Sequence, residues 1–582
     1  MRTHTVFAVF THCLSRLTHA RTRVCGSCPH LLPPLLVLMT MMRRLQPLLF
    51  LLTITSFAAA GPIDSSNRDV LTPNTGAFPQ SGVTLGGTKF INRGLQGVGR
   101  FAANAIDPAT GESLGSISDM QITDFQNLGA GSWSGTFNFL PDRGYNSDTI
   151  FSNYAARINT FSFVFTPQTT SAVTSSQDQI QMTFEGSTRF TYDHDNNPLT
   201  APVFTTGMLA TGSRSLHGVT VPSTAGNTTQ SDGTVSNRLT VDAEGLALDN
   251  RAGKAGSGWI SDEYGASIYH FNASKEIDGV LQLPAALIPF NGNTPTFDGD
   301  QTNGRRTNQG LEGLAQSPDG TKLFALMQSA TIQDSGAGNA GRSNDRLLVY
   351  DVKNSDSPSD PVAQYVIQLP RVDDNGGTPA VNRTAAQSSI LVLNDHQILI
   401  LSRDGNGRGA SRSPVFKSIL LADLNGATNI DGLFDANGAA VAPGGVLNPT
   451  VTPLSWTEAL NLIGKLDLSI TELEQFGINL NTAPGNINTI SEKWEALSLV
   501  SVDDPLAPND YFLFVGNDND FITSTGKYLD ANGNLQNYNA GLENDTVILA
   551  FRVTVVPEPG TLVLASAGIV VALFASRRRK TK

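Results

Sequence analysis

Short apolar runs, separated by turns rich in Gly, Asn, Asp and Pro, recur along most of the chain. Several alternate apolar with polar residues, as in Phe161–Phe165 and Thr546–Ile548, which is typical of half-buried antiparallel strands. The pattern is clearest from Val241 to Phe271. This stretch predicts a small antiparallel meander with the strands Gly245–Leu248, Trp259–Ser261 and Ser267–Phe271.

The same pattern predicts strands almost to residue 556. They are expected at Phe137–Leu140, Thr160–Thr166, Gln179–Phe184, Leu323–Met327, Leu347–Val352, Ser388–Leu393, Ile398–Ser402, Lys417–Leu421, Tyr511–Val515 and Thr546–Val555. Only Trp456–Leu468 and Ile470–Gln475 have the apolar spacing of helices. The excess of strands favours antiparallel sheets over alternating strand and helix units.

A short motif around a glutamate is repeated. Glu244 lies in AEGLA and Glu312 in LEGLA, 68 positions later, and a fainter copy surrounds Glu495 in WEALSL. Repetition at this period predicts a solenoid or propeller, and units of four strands would place about five to seven antiparallel blades between residues 85 and 556. We therefore expect an all-β, propeller-like domain over 85–556. An array of β-sandwiches is the alternative, but it would not place glutamates at one point of each unit.

Composition narrows the classes of partner. The chain has 55 Gly and 30 Pro, 15% charged residues and a formal net charge of −12. A nucleic-acid-binding surface needs a basic face, so this balance argues against one. A cation or a cationic matrix is a more natural partner.

The N-terminal residues have the layout of an export signal. Met41-Met42-Arg43-Arg44 precedes the apolar run 48–54 and the small residues 58–61, as in a signal peptide. We expect residues 1–40 to be a wrongly assigned start, 41–60 the signal peptide and 61–84 a flexible lead-in. All three cysteines, including the pair Cys25 and Cys28, then precede the mature chain, which would be exported without a disulfide.

The C-terminal residues form a second signal. Val556-Pro557-Glu558-Pro559-Gly560 is followed by the apolar run 561–575 and by the basic residues 577–580. A plain membrane anchor is one interpretation. Residues 557–582 resemble the PEP-CTERM sorting signal of exopolysaccharide-producing Gram-negative bacteria. That resemblance implies transient insertion of a transmembrane helix into the inner membrane, cleavage by an exosortase, and release to the cell surface, outer membrane or extracellular matrix.

Carboxylates recur at corresponding points of the predicted units. In a propeller the first strand of each blade lines the central channel, so repeated acids should converge there, and calcium is the cation that oxygen ligands of this kind suit. The expected ligands are Glu244, Asp262, Glu263, Glu312, Glu495, Asp518 and Asp520. Any one of them alone is more typical of a turn cap or a solvated side chain, and only the set as a whole indicates a functional channel. Zinc is a poor candidate because the histidines lack paired ligand spacing.

Basic residues accompany the acids. Arg143 follows Asp142, Arg403 ends a predicted strand and Lys417 begins the next. A guanidinium fork suits a phosphate or carboxylate group, so we expect Asp142, Arg143, Arg403 and Lys417 to be catalytic. Alternatively the cations only hold the neighbouring acids in place. Gly111–Gly115 matches G-x-S-x-G, but it lacks the strand and helix of a nucleophile elbow and is predicted to be a turn.

Several motifs occur together in a distinctive order. They are LPDRG at 140–144, AEGLA at 243–247, WISDEYG at 259–265, GLEGLA at 310–315 and GNDNDF at 516–521. Together they resemble the phytase-like domain family, also described as esterase-like activity of phytase. The resemblance implies a propeller-like domain and phosphoester hydrolysis. Two positions depart from the expected pattern: Ser402 replaces an acid before Arg403, and Ala496 replaces the glycine after the glutamate.

We therefore expect a secreted, surface-sorted, metal-dependent hydrolase of small phosphate esters. Calcium would polarise phosphate oxygens, and the basic residues would stabilise developing charge. One alternative is a non-catalytic, calcium-stabilised propeller that binds extracellular polysaccharide or another matrix component. Another is a carboxylesterase or lactonase on the same scaffold.

Overall fold

A computed structural model describes residues 62–557 except 170–171, 196, 198–199, 226–235, 376–380, 466–469 and 483–484. All of these belong to one unit, Ala60–Lys582. The predicted signal peptide, the apolar run near the C-terminus and all but the first residue of the sorting signal lie outside the described residues. Among the described residues, no helix is long and apolar enough to cross a membrane.

Five sheets of four or more strands make up most of the described chain, and we number them I to V in the order of their first strands. Sheet I contains Asp119–Gly129, Ser132–Leu140, Arg157–Phe165 and Ile180–Arg189. Sheet II contains Ala243–Leu248, Gly258–Asp262, Ser267–Phe271, Glu276–Leu281, Thr191–Tyr192 and Val203–Phe204. Sheet III contains Leu311–Gln316, Lys322–Met327, Asn344–Asp351 and Ala363–Gln368.

The last two sheets follow the same plan. Sheet IV contains Ala386–Asn394, Gln397–Arg403, Lys417–Asp423 and Ser455–Asn461. Sheet V contains Lys493–Ser501, Asp510–Asp518, Thr546–Pro557, Thr88–Phe101 and Val83–Leu85. The first four strands of every sheet pair antiparallel with their neighbours. Each strand predicted from the sequence is present, usually longer by one to five residues.

The first strands of the five sheets form a closed ring. The first strand of sheet I contacts that of sheet II, and the contacts continue in order through III, IV and V and back to I. A separate hydrophobic cluster fills each of the five interfaces between neighbouring sheets. Sheets packed face to face around an axis are the architecture of a β-propeller, so the expected all-β, propeller-like fold is confirmed.

Sheet V closes the ring with the two ends of the domain. Its strand Thr546–Pro557 pairs antiparallel with Thr88–Phe101, from Thr88 opposite Pro557 to Phe101 opposite Thr546. The N-terminal strand was not predicted, because its apolar residues do not alternate regularly. Two register shifts, on either side of Leu95, account for this irregular pattern.

Aromatic residues dominate the interface between sheets V and I. The rings of Phe137 and Phe163 stack with centroids 4.1 Å apart, and Phe514 of sheet V meets Phe137 edge to face at 5.5 Å. Phe512 contacts Trp133 in the same way at 4.9 Å. Each of these edge contacts adds about 1 kcal/mol to the burial of the rings. The packing holds the last sheet against the first.

Smaller elements lie around the ring. Small sheets are formed by Asp69–Val70 with Arg371–Val372 and Arg383–Thr384, by Gly212–Leu216 with Val219–Ser223, by Phe290–Asn291 with Thr294–Pro295, and by Gly526–Leu529 with Leu535–Tyr538. In the part of the chain that the structure describes, three short 3-10 helices span Asn339–Gly341, Pro443–Gly445 and Glu474–Phe476. Part of the expected flexible lead-in makes ordered contacts, since Asp69–Val70 joins a sheet and the side chains of Val70, Asn74 and Phe78 are buried.

The helix expected at Trp456–Leu468 is wrong where the structure describes it. Residues Ser455–Asn461 form the outer strand of sheet IV. The pairing shifts register between Ile419 and Leu420, so Ala459 and Leu460 are both buried. This bulge interrupts the alternation of the strand and leaves the apolar spacing of a helix in the sequence. At Ile470–Gln475 the only helical residues begin at Glu474, in a single 3-10 turn.

Candidate functional site

The repeated glutamates lie at β-bulges in the first strands of three sheets. The register shifts between Ala243 and Leu246 in sheet II, on either side of Glu312 in sheet III, and on either side of Glu495 in sheet V. A bulge turns a side chain away from the regular alternation of a strand. As a result, carboxylate oxygens of Glu244, Glu312 and Glu495 lie within 4.8 Å of one another.

Sheet IV contributes a serine at the corresponding bulge. The register shifts on either side of Ser388, whose hydroxyl accepts a hydrogen bond of 3.1 Å from Nε of Arg403. Nη2 of Arg403 donates to Glu495. Burial alone would lower the pKa of Arg403, but the carboxylates of Glu495 and Glu312 raise it above the usual range. Arg403 thus remains charged beside the glutamates.

Sheet I contributes Asp119, which the sequence did not indicate. Its carboxylate accepts hydrogen bonds from the backbone N–H of Leu246 at 2.8 Å, from the N–H of Met120 at 2.9 Å and from Oγ of Ser389 at 3.3 Å. Burial raises the pKa of Asp119 to about 8. Asp119 therefore joins the first strands of sheets I, II and IV, and no repeated motif marks it.

A second cluster is formed by Asp242, Glu244 and Glu263, whose carboxylate oxygens also lie within 4.8 Å of one another. Nη1 of Arg143 lies 2.7 Å from Asp242. Burial and the charge of Asp242 raise the pKa of Glu263 to about 8. Oε1 of Glu263 is buried and has no hydrogen-bond partner among the described residues. Glu244 belongs to this cluster and to the glutamate cluster, so the two are continuous.

A third cluster contains Asp142, Asp518 and Asp520. Nζ of Lys493 lies 2.6 Å from Asp520 and 3.3 Å from Asp518. Burial and the charge of Asp242 raise the pKa of Asp142 to about 8. The sequence motif around Asp518 and Asp520 indicated these acids, whereas Lys493 was missed because it lies in no repeated motif.

Five of these carboxylates, those of Asp142, Asp242, Glu244, Glu263 and Asp520, line a cavity of about 410 Å³, which we call the acidic cavity; Glu312, Glu495 and Asp518 do not line it. It is lined by Asp142, Arg143, Tyr145, Asn146, Asp242, Glu244, Glu263, Asn308, Lys493, Asp520, Ile522 and Ala540. The three clusters hold eight carboxylates, and three cations pair with them, Arg143, Arg403 and Lys493. Carboxylates removed from water and close to one another must bind protons or another cation.

Glu244 lies at the centre of this excess of carboxylates over cations, because it belongs to two of the clusters. Burial and then the charges of Glu312, Asp242 and Glu263 raise its pKa well above the usual range. The pKa of Glu312 is raised in the same way, by burial and by Glu495. The donor set consists of carboxylate oxygens, the ligands that hard cations such as calcium prefer. The site can therefore hold a divalent cation or bound protons.

Two of the predicted site residues have other contacts. The carboxylate of Asp262 accepts hydrogen bonds from the backbone N–H groups of Asp242 at 2.9 Å and Gly265 at 2.8 Å, so it caps a turn. Lys417 is fully buried, with its Nζ 3.0 Å from Asp404. Asp262 and Lys417 stabilise the strands that carry the site, and they do not line the acidic cavity.

The two departures from the expected motifs are accommodated locally. The hydroxyl of Ser402 donates to the backbone oxygen of Ala385 at 3.0 Å. Ala496 faces Gly516 on the paired strand, which has no Cβ of its own opposite the alanine methyl group. By contrast, a Cβ atom at Gly245 would lie 2.5 Å from the backbone oxygen of Glu312. Glycine is therefore required after Glu244 in sheet II but not after Glu495 in sheet V.

Comparisons with known proteins found one related sequence and several solved structures with low similarity. An uncharacterized secreted protein of Arthroderma benhamiae is 29% identical over 473 residues, which cover 74% of this chain and 88% of that protein. Among solved structures, a DUF4623 family protein from Bacteroides eggerthii matches 75% of this chain and 60% of its own, with 9% identity and a TM-score of 0.23. Hsv2 from Kluyvelomyces marxianus matches 52% of this chain and 92% of its own, with 11% identity and a TM-score of 0.18.

Two family models match the sequence. The PEP-CTERM protein-sorting motif matches residues 555–580, which supports export, sorting to the cell surface and processing by an exosortase. The second model, described as esterase-like activity of phytase, matches residues 123–521, from within the first strand of sheet I to just beyond the second strand of sheet V. This chain belongs to the Phytase-like family.

Proposed function

We propose that this protein is a metal-dependent hydrolase of phosphate esters that acts outside the cytoplasm. The observation that carries the proposal is the acidic cavity and the carboxylate clusters that reach it, in which eight carboxylates pair with only three cations. Purely structural carboxylates are normally paired or hydrogen-bonded when buried. Here the buried Oε1 of Glu263 has no partner among the described residues, so the site is suited to a cation.

The residues present fit calcium. Calcium takes six to eight oxygen ligands with flexible geometry, and Asp242, Glu244 and Glu263 offer carboxylate oxygens beside open space. Glu312 and Glu495 would complete the negative environment through the shared Glu244. When bound, the ion would polarise phosphate oxygens and offset their charge. Zinc is disfavoured because no histidine lines the acidic cavity.

Arg143 is placed to bind a phosphate group. Its Nη2 donates to two neutral amide oxygens, of Asn308 at 2.8 Å and of Asn146 at 3.3 Å. A phosphate oxygen is a stronger acceptor than an amide oxygen for a guanidinium donor. Asp242 holds the opposite side of the guanidinium and fixes its direction. We therefore assign Arg143 to the stabilisation of charge on the phosphoryl oxygens.

Asp142 is suited to be the general acid. Its pKa is raised to about 8, mainly by burial, so its carboxyl is protonated at neutral pH. In the proposed reaction, water attacks phosphorus, the ester P–O bond breaks, and Asp142 gives its proton to the leaving oxygen. A cavity carboxylate takes a proton from the attacking water. Asp142 regains a proton from solvent after the products leave.

The comparisons support the reaction class and the place of action. The family is described by an esterase-like activity of phytase, which favours phosphate esters such as phytate as substrates. The sorting motif favours a final position at the cell surface, in the outer membrane or in the extracellular matrix.

The test is phosphate release from a panel of phosphomonoesters including phytate, with calcium and then with EDTA. We expect release only with calcium, and its loss in the double variant Glu244→Gln Glu312→Gln. The matched control is Glu458→Gln, because Glu458 is equally buried but bonds Asn74 and Ser418 outside the cavity. Calcium stabilisation without hydrolysis would replace the proposal with a binding propeller, and calcium-dependent cleavage of acyl esters alone would replace it with a carboxylesterase or lactonase.

A further inference from the structure

A second cavity, of about 210 Å³, adjoins the acidic cavity and shares Asn308 and Lys493 with it. Its charged lining residues are all cations, namely Arg342, Arg383, Arg403 and Lys493. The remaining lining side chains include amides and hydroxyls, with no carboxylate. We call it the basic cavity. Two adjacent cavities thus have opposite charge.

Arg342 is the least compensated of these cations. Its Nη1 donates to the neutral amide oxygen of Gln309 at 3.2 Å, and its buried Nε has no hydrogen-bond partner among the described residues. Burial and then the charge of Arg383 lower the pKa of Arg342. Like charges held together in a partly buried site are unfavourable without an anion. The pair therefore indicates a negatively charged ligand.

Arg383 and Arg403 contribute the other two guanidinium groups that line the basic cavity. Nε of Arg383 lies 2.6 Å from Asp374, and its side chain is 46% exposed. Nη1 of Arg383 would lie 3.4 Å from a Cβ atom at Gly405, so the glycine leaves the space in front of the guanidinium open. Arg403 is held from behind by Ser388 and Glu495. Three guanidinium groups therefore line one cavity from different parts of the chain.

We propose that the basic cavity binds an oxyanion group, and that it takes the second anionic group of a substrate whose ester phosphate lies in the acidic cavity. Planar guanidinium groups match phosphate geometry, and three of them around one small cavity favour a phosphate over a neutral group. Lys493 lies between the two sites and would contact both groups. The role in binding a second group of the substrate rests on the proposed function; the oxyanion site itself does not.

The first experiment measures binding without metal or turnover. Inorganic phosphate is titrated into the metal-free protein in EDTA by calorimetry. We expect the Kd for phosphate to be about tenfold higher than that of the wild type in each of the single variants Arg342→Gln and Arg383→Gln. The matched control is Arg306→Gln, because Arg306 is half-buried near Arg342 but does not line the cavity. Arg383 is partly exposed, so its variant is expected to fold even if Arg342→Gln does not. Equal affinity in wild type and Arg383→Gln would overturn the site.

The second experiment separates a substrate group from free phosphate. With calcium, hydrolysis of fructose 6-phosphate is compared with that of fructose 1,6-bisphosphate. Arg383→Gln should raise KM about tenfold for the bisphosphate alone, with kcat unchanged. An equal change for both esters, or no change while free phosphate still binds, would overturn the assignment to a second substrate group. Absence of all hydrolysis would refute the proposed function and with it the substrate assignment, while the calorimetry would still decide the anion site.

Discussion

Replacing Glu244 with glutamine should stabilise the metal-free protein and weaken its response to calcium. Carboxylate oxygens of Glu244 lie within 4.8 Å of those of Glu312 and Glu495. One like-charge pair at that distance costs about 3.5 kcal/mol at an effective dielectric constant of 20. Protonation would relieve the repulsion, but at pH 8 it costs a glutamate about 5 kcal/mol. The variant avoids both costs, and its amide N–H groups can donate to the neighbouring carboxylates.

We expect the free energy of unfolding in EDTA at pH 8 to increase by about 3 kcal/mol in Glu244→Gln. The assay is urea unfolding followed by tryptophan fluorescence, with EDTA and then with calcium. Wild type should gain stability from calcium, and the variant should gain much less because one central ligand is lost. The control Glu458→Gln should be destabilised in EDTA and should keep the calcium response. A destabilised Glu244→Gln with a full calcium response would refute the reasoning.

Three further predictions follow from buried groups of the same domain. The pKa values of Asp142 and Glu263 are both raised to about 8, so the stability that their bound protons confer on the metal-free protein is complete below about pH 4 and is lost as pH rises to about 8. The melting temperature in EDTA should fall over that range, and calcium should restore it most at high pH. Lys417→Met should lower the free energy of unfolding by about 3–5 kcal/mol by leaving the buried charge of Asp404 without its paired cation, whereas the double variant Lys417→Met Asp404→Asn should recover part of it; equal stability of both variants would contradict the pairing. Gly245→Ala should also destabilise the protein, since its Cβ would lie 2.5 Å from a backbone oxygen. If calorimetry finds the same unfolding temperature for the variant and the wild type, glycine is not required at position 245.

The sequence predicted the fold class because its main determinants are local. The pattern of apolar and polar residues marked 13 of the 23 strands of the five sheets, and the repeat around Glu244 and Glu312 indicated units arranged around one axis. The pairing of Thr88–Phe101 with Thr546–Pro557 could not be predicted, since it joins segments at opposite ends of the domain. At Ser455–Asn461, pairing within sheet IV outweighed a local helical pattern.

Part of the site could also be predicted from local sequence motifs. Acids in repeated motifs were expected to converge, and Glu244, Glu312 and Glu495 do lie together. Lys493 lies in no repeated motif, so only the closed ring reveals its place in the site. Proximity in the sequence was a poor guide to the site. Asp262 lies beside Glu263, yet its carboxylate accepts hydrogen bonds from backbone N–H groups.

The most direct test of calcium binding in the acidic cavity is a calorimetric titration of the metal-free protein with calcium at pH 7, in buffers of different ionisation enthalpy. Glu263, an expected calcium ligand with a pKa raised to about 8, carries a proton at that pH, so calcium binding should release protons into the buffer. The release should decrease at pH 9, and binding should be lost in Glu244→Gln Glu312→Gln. Absence of binding, or binding that releases no protons and persists in the double variant, would contradict the account.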